Sequence, residues 1–355
     1  MRALPLLLLG ACSFSPPSVA EDGGLTGEAG ADAKVFLDAR VHDASASCFG
    51  QDPYLVCLPA MSAAALTFGA ETIDTDAGQC KSASHTGVII DLMNGGPQLC
   101  VFAGTTIDLN GRLRAEGALP LVVLASGNLN VNQTGYVDVS SYRGDPDPGA
   151  AANDTVCTAT DGEGDPGGGG GGGGAGGSFG GAGGAGASSA SGQDGGTTTV
   201  PAAPVFLRGG CAGTDGGGSG NGAGEGAASG GAVYLLAGGD LRISGKIDAS
   251  GEGGEGGPAK GGGGGGGSGG MIVLYAGANL VVEAGGRVWA NGGGGGGGGA
   301  SNSEEMTASN RSSRAMQQPV AHPVPVVQAP VEPPRRRSAC SSPARAAAAA
   351  AVVRA

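Results

Sequence analysis

The sequence predicts an all-β protein: a parallel β-helix or β-solenoid of stacked coils, with long glycine-rich loops, a disulfide-stapled N-terminal cap and a disordered C-terminal tail. Three observations predict it. A phrase of three very short apolar segments separated by corners recurs four times, at 99–117, 121–141, 231–251 and 271–292. Within each copy apolar and variable residues alternate, the period of a strand with one buried face. The extra residues follow the third segment (after Ser141, Gly251 and Asn291), as inserts in repeat proteins leave from one corner. Such a unit cannot bury its apolar face alone and must stack on neighbours. An irregular β-sandwich with strands alike by chance is the competing reading.

Alignment on Ala103, Ala125, Ala237 and Ala276 assigns the faces. In the second strand the pairs Ile107/Leu109, Leu129/Val131, Leu241/Ile243 and Leu280/Val282 point inward, with Asp108, Asn130, Arg242 and Val281 between them. In the third, Leu113/Ala115, Val137/Val139, Ile247/Ala249 and Val288/Ala290 point inward, leaving Arg114, Asp138, Asp248 and Trp289 outside. In the first strand Val101, Val123, Leu235 and Leu274 face in, yet their neighbours Phe102, Leu124, Leu236 and Tyr275 are also apolar. A strand apolar on both faces is covered on both faces, so a second layer is expected there, from the N-terminal region or an insert.

From the N-terminus, residues 1–12 combine Arg2 with a short apolar run, the pattern of a secretory signal too short to span a bilayer. Leu9-Gly10-Ala11-Cys12 resembles the lipobox of bacterial lipoproteins, which implies a diacylglycerol on Cys12 and cleavage before it. The alternative is cleavage after Ser18-Val19-Ala20, which releases a secreted protein. Residues 13–33 read as a flexible tether, and 34–98 as the stapled cap on the first coil. Residues 99–303 hold the coils and their inserts. Residues 304–355 lack glycine, are proline-rich and carry Arg335-Arg336-Arg337 and an alanine run at 346–351. GGC glycine codons read in the other two frames give alanine and arginine, so the tail reads as frameshifted; a native Pro/Arg-rich disordered tail is the alternative.

Composition restricts the function. Of 355 residues 78 are glycine, so the packable core is small for the length. Charged residues make up 14%, about half the usual share. A net charge of -12 argues against nucleic acid as a partner. Apart from Cys12 and Cys340, six cysteines remain: Cys48, Cys57, Cys80, Cys100, Cys157 and Cys211. An even set in an exported chain reads as disulfides. A zinc site is the weaker alternative, because no CxxC pair occurs and His42, His85 and His322 lie apart. Cys157 and Cys211 bracket the large insert and are expected to close its base.

The glycine runs at 167–174, 261–267 and 292–299 are expected to be flexible loops. Fixing a residue costs about 1–2 kcal/mol, and glycine returns no side-chain burial. The sharper alternative is a bundle of polyglycine-II-like strands, each rising about 3.1 Å per residue.

The outward column Arg114, Asp138, Asp248 and Trp289 is the candidate ligand face, since carboxylates beside an aromatic suit a sugar. Outward charges on a strand are otherwise simply solvated. No clustered Asp, Lys or Arg of the kind polysaccharide-cleaving β-helices use is visible, nor a phosphate loop or a triad signature. No catalytic residue, cofactor or metal is expected, and nothing in the sequence sets an oligomeric state.

The phrases 207–211 (LRGGC), 230–238 and 267–276, with the glycine stretches between them, resemble glycine-rich surface lipoproteins of myxobacteria and related bacteria. The resemblance covers about residues 48–299. It implies a surface-exposed lipoprotein of the cell outer membrane, structural or adhesive and not an enzyme. Surface polysaccharide is the partner such a face would meet. A β-helical polysaccharide-degrading enzyme, or a carbohydrate- or ice-binding protein, is the alternative.

Overall fold

Turn-forming residues such as glycine, asparagine, serine, aspartate and proline stand between most of the apolar runs, leaving room for strands of only a few residues. The computed structural model describes residues 47–92, 96–201, 203–218, 220, 222–300 and 349–354. Cys12, the signal segment, the tether and most of the tail lie outside the described residues. The described residues contain β-strands and no helix. In order they are β1 (Ser47–Phe49), β2 (Val56–Leu58), β3 (Leu66–Phe68), β4 (Glu71–Asp74), β5 (Val88–Asp91), β6 (Gln98–Gly104), β7 (Ile107–Leu109), β8 (Arg112–Glu116), β9 (Leu121–Ala125) and β10 (Leu129–Val131). There follow β11 (Tyr136–Asp138), β12 (Ala159–Thr160), β13 (Thr197–Thr198), β14 (Ala232–Ala237), β15 (Leu241–Ile243), β16 (Lys246–Asp248), β17 (Met271–Ala276), β18 (Leu280–Val282), β19 (Arg287–Trp289) and β20 (Ala349–Arg354).

Three open sheets collect equivalent strands of successive units. The first-strand sheet runs β20-β17-β14-β9-β6-β5, the second β18-β15-β10-β7-β3 and the third β19-β16-β11-β8-β4. Pairing between units is parallel throughout; only β5 and β20, at the two ends of the first sheet, are antiparallel. Ile107, Leu129, Leu241 and Leu280 stack in one row, and Leu113, Val137, Ile247 and Val288 in another. One apolar cluster collects the inward residues of all three sheets.

In the first unit the expected face is wrong by one residue. Phe102, not Val101, is the partner of Val123, and Gly104 takes the place of Ala125. The corner to β7 is Thr105-Thr106, whereas β9 reaches β10 through Ser126-Gly127-Asn128, and one residue fewer flips the face. Phe102 therefore lies in the main cluster, while Val101 joins Val122, Leu124, Tyr234, Leu236 and Val273 in a second one. That second cluster is roofed by Tyr54, Val56 and Leu58 from the β1–β2 hairpin and by Phe179 and Leu207 from the large insert. Both suggested sources supply the layer.

The segment read as a cap contributes β3 and β4, which extend the second and third sheets in parallel by one more rung. Cys80–Cys100 ties it to β6, Cys48–Cys57 closes the β1–β2 hairpin, and Cys157–Cys211 joins the ends of the insert. At the other end of the stack Val282 is 47% exposed, although its position in the alternation is an inward one. Within the tail expected to be disordered, residues 349–354 pair along β17. The first-sheet edge would otherwise be a row of open backbone groups.

The glycine runs are not flexible loops. They form a hydrogen-bonded bundle whose hub is the segment 261–270. The N–H groups of Gly262, Gly265 and Ser268 donate to the carbonyls of Gly217, Thr214 and Cys211, and those of Gly264 and Gly267 to Glu255 and Glu252. The hub's own carbonyls accept from Gly174 and Gly177, from Gly224, Ala227 and Gly230, and from Gly293 and Gly296. Each set advances by three residues, the repeat of a polyproline-II helix. Close packing explains the composition, because a Cβ on any of residues 262–267 would overlap a carbonyl oxygen of a neighbouring segment.

Energetically such a bundle is near balance. One hydrogen bond contributes about 0.5–1.5 kcal/mol and a Cα–H···O contact about 0.5–1, against about 1–2 to fix each residue. Anchorage decides it. The excursion 249–270 leaves from β16 and returns into β17, and the large insert is clamped at Cys157–Cys211. The flexible-loop expectation counted the entropy and omitted the lattice of bonds that only bare backbone can make.

Candidate functional site

The third-strand sheet brings the four predicted residues together. Arg114, Asp138, Asp248 and Trp289 are successive register partners across β8, β11, β16 and β19, on the face away from the core. Two residues earlier on the same strands, Arg112, Tyr136, Lys246 and Arg287 form a parallel column. The predicted column is not a solvated stripe. Asp138 is fully buried, Arg114 and Asp248 are buried, and only Trp289 is half-buried.

What covers them is the segment after β11. Tyr142 folds back so that its hydroxyl donates to Asp138 Oδ2 at 2.9 Å, and Ser140 donates to Oδ1 from its hydroxyl at 2.6 Å and its N–H at 3.2 Å. Arg112 adds two bonds to Oδ2, from Nε at 2.8 Å and Nη2 at 2.6 Å. Arg114 reaches over the same segment, bonding the carbonyls of Ser140 and Asp147 and the carboxylate of Asp145. Both guanidinium groups lie against the Tyr142 ring.

Asp248 is the less satisfied carboxyl. It accepts from the Ser250 N–H at 2.9 Å and the Tyr136 hydroxyl at 3.1 Å. Burial, reinforced by the charge of Asp138, raises its pKa above the usual carboxylate value. Burial likewise raises the hydroxyls of Tyr136 and Tyr142, with the two aspartates adding to it, so both remain donors.

The chemistry follows from this saturation. Asp138 receives five hydrogen bonds, leaving no open position at which a substrate could exchange a proton with it. Its network staples 139–147 to the sheet. What faces outward is aromatic and basic: Trp289 stacks on Tyr136 with ring centroids 6.4 Å apart, beside exposed Arg112, Lys246 and Arg287. Such a platform offers a flat apolar surface and donors, the requirements for stacking a sugar ring. The sequence reading missed Arg112, Tyr136 and Tyr142; the first two carry the period-two signal that placed their neighbours.

Among the described residues one acidic trio, Glu116, Asp145 and Asp147, has oxygens within 4.8 Å of one another. The Arg114 guanidinium pairs with two of the three, with Nη2 at 3.3 Å from Asp145 and Nε at 3.6 Å from Glu116. No described helix is long and apolar enough to cross a membrane. No family model, curated protein or solved structure matches the chain.

Proposed function

We propose that this chain is an exported surface lipoprotein, anchored in the outer membrane through acylated Cys12, with a structural or adhesive role and no catalysis. In this reading the stacked units form a β-solenoid, and its task is to display the glycine bundle beyond the cell surface. The observation that carries the proposal is the pairing of all six cysteines between residues 48 and 211 into three disulfides, which supports an oxidising compartment. The glycine bundle offers almost no side-chain chemistry, which favours a material role. Kinship with glycine-rich surface lipoproteins of myxobacteria accords with these features and rests on sequence phrases alone.

Labelling cells with an alkyne fatty acid tests the anchor. The wild-type chain takes up label and stays with the membrane fraction, whereas Cys12→Ser takes up none and becomes soluble, since stable attachment needs acyl chains. An unlabelled wild-type chain, secreted after cleavage at Ala20, would refute it.

A second reading is favoured by the Trp289–Tyr136 stack: contact with surface polysaccharide on that platform. Trp289→Ala would then lose polysaccharide retention. A polysaccharide-degrading β-helical enzyme is the weaker alternative, because Asp138 is saturated; release of reducing ends from a polysaccharide panel would support it. Ice binding through the glycine layer would show as thermal hysteresis.

A further inference from the structure

The glycine bundle has one outer edge, 292–299, made of an unbroken run of glycine. The segment 291–299 lies on the outside, bonded inward by the N–H groups of Gly293, Gly296 and Gly299 and by the carbonyls of Asn291, Gly294 and Gly297. Among the described residues, the N–H groups of Gly292, Gly294, Gly295, Gly297 and Gly298 bond to none. These five residues are exposed.

Nothing within the described chain requires glycine at those five places. A Cβ on Gly294 or Gly297 meets nothing within 4 Å, and on Gly292, Gly295 or Gly298 nothing closer than 3.5 Å. Elsewhere on its surface the bundle fills most such space with side chains, Ala182, Ala185, Ser188, Glu225 and Glu255 being exposed, with Gly181 and Gly184 as isolated open glycines between them. Bare glycine at 292, 294, 295, 297 and 298 raises the entropy lost on folding and returns no close contact among the described residues. The segment also carries no charge, so a second negatively charged molecule can approach it.

The excursion 249–258 is followed by a return strand, 261–270, but 291–299 has none from glycine, because residues 301–355 contain no glycine. Antiparallel pairing is already used in the bundle, where Gly264 and Gly267 bond back to Glu255 and Glu252. A copy of the same edge, turned by a two-fold rotation, presents the same open donors and acceptors with the same three-residue repeat.

We infer that 291–299 is a self-association edge: two copies of this chain join antiparallel through it, each supplying the missing neighbour of the other's bundle. The contact is made by backbone alone, so it tolerates no Cβ on the outward positions.

The test uses the full chain with Cys12→Ser and Cys340→Ser, so that neither acyl chains nor a spare thiol contributes to mass. Light scattering after size exclusion is expected to give the mass of two copies, falling by half in Gly294→Ala/Gly297→Ala. Both alanines occupy open space in the monomer, so circular dichroism and Tm remain those of the parent. Ala185→Gln, on another exposed part of the bundle, leaves the dimer intact. A monomeric parent overturns the inference, whether the edge is bare or covered by the proline-rich segment of its own chain. So does a dimer that survives the double alanine change.

Discussion

The α-carbon of Gly265 faces the carbonyl oxygen of Ala175 so closely that a methyl group on it would overlap that oxygen. The contact joins two segments ninety positions apart in sequence, one in the large insert and one in the 249–270 excursion, and it is repeated with other partners along the hub. It makes the composition a packing requirement at some positions and leaves others free.

Gly265→Ala therefore destabilises the protein by about 1–3 kcal/mol, the range for forcing a methyl group into a filled site. Gly294→Ala, with nothing within 4 Å of its Cβ, leaves monomer stability unchanged or raises it by about 0.4–1 kcal/mol. Denaturant melts of the two variants in monomeric form provide the comparison. Equal effects would mean that the close approach does not exist.

Asp138 is the keystone of the sheet's outer network. Asp138→Ala takes their acceptor from the Ser140 and Tyr142 hydroxyls and one carboxylate from beside the buried Arg114, which keeps its bonds to Asp145 and Asp147. The loss is about 1–3 kcal/mol for each donor left unpaired, read in chemical denaturation. Arg112→Ala removes a half-exposed partner and costs about 1 kcal/mol or less.

Asp248 gives stability a definite pH dependence. Its folded pKa is raised above the ordinary value of 3.8, so the folded state binds a proton more tightly than the unfolded state. The favourable contribution is complete below about 3.8 and is lost as pH rises through the raised value. Asp248→Asn should keep the Ser250 bond on its oxygen, donate from its amide nitrogen to the Tyr136 oxygen as that hydroxyl turns to Tyr142, and remove this dependence. Its Tm should exceed the parent's at neutral pH, with the gap closing in acid. A gap that widens in acid would reverse the sign.

Removing the Cys157–Cys211 link by the double change to serine opens a loop of 54 residues. The chain-entropy model gives a loss on the order of 4 kcal/mol. The insert is the part that loosens first, detected as new proteolytic cuts between residues 157 and 211 while the stacked strands stay resistant.

Much of the strand architecture is legible because side chains announce it. Ile107, Leu129, Leu241 and Leu280 show the period of two that a half-buried strand demands, and the structure stacks them in one row. The face of β6 is not legible, because Val101 and Phe102 are both apolar and only the length of a corner decides between them. The burial of Asp138 is invisible for a related reason: its cover comes from Ser140 and Tyr142, which look like ordinary loop residues. The glycine bundle is hardest to see, since a backbone lattice leaves no hydropathy signal. One trace remains in Glu252, Glu255 and Pro258, spaced by three where side chains have room.

Hydrogen exchange measures the ordered glycine bundle most directly. Peptides covering 261–270 in the native protein should be protected to a degree comparable with β14, because Gly262, Gly264, Gly265, Gly267 and Ser268 all donate to backbone carbonyls. Exchange of that segment at the rate of an unstructured chain, with the strands still protected, would show the glycine runs to be loops and contradict the account.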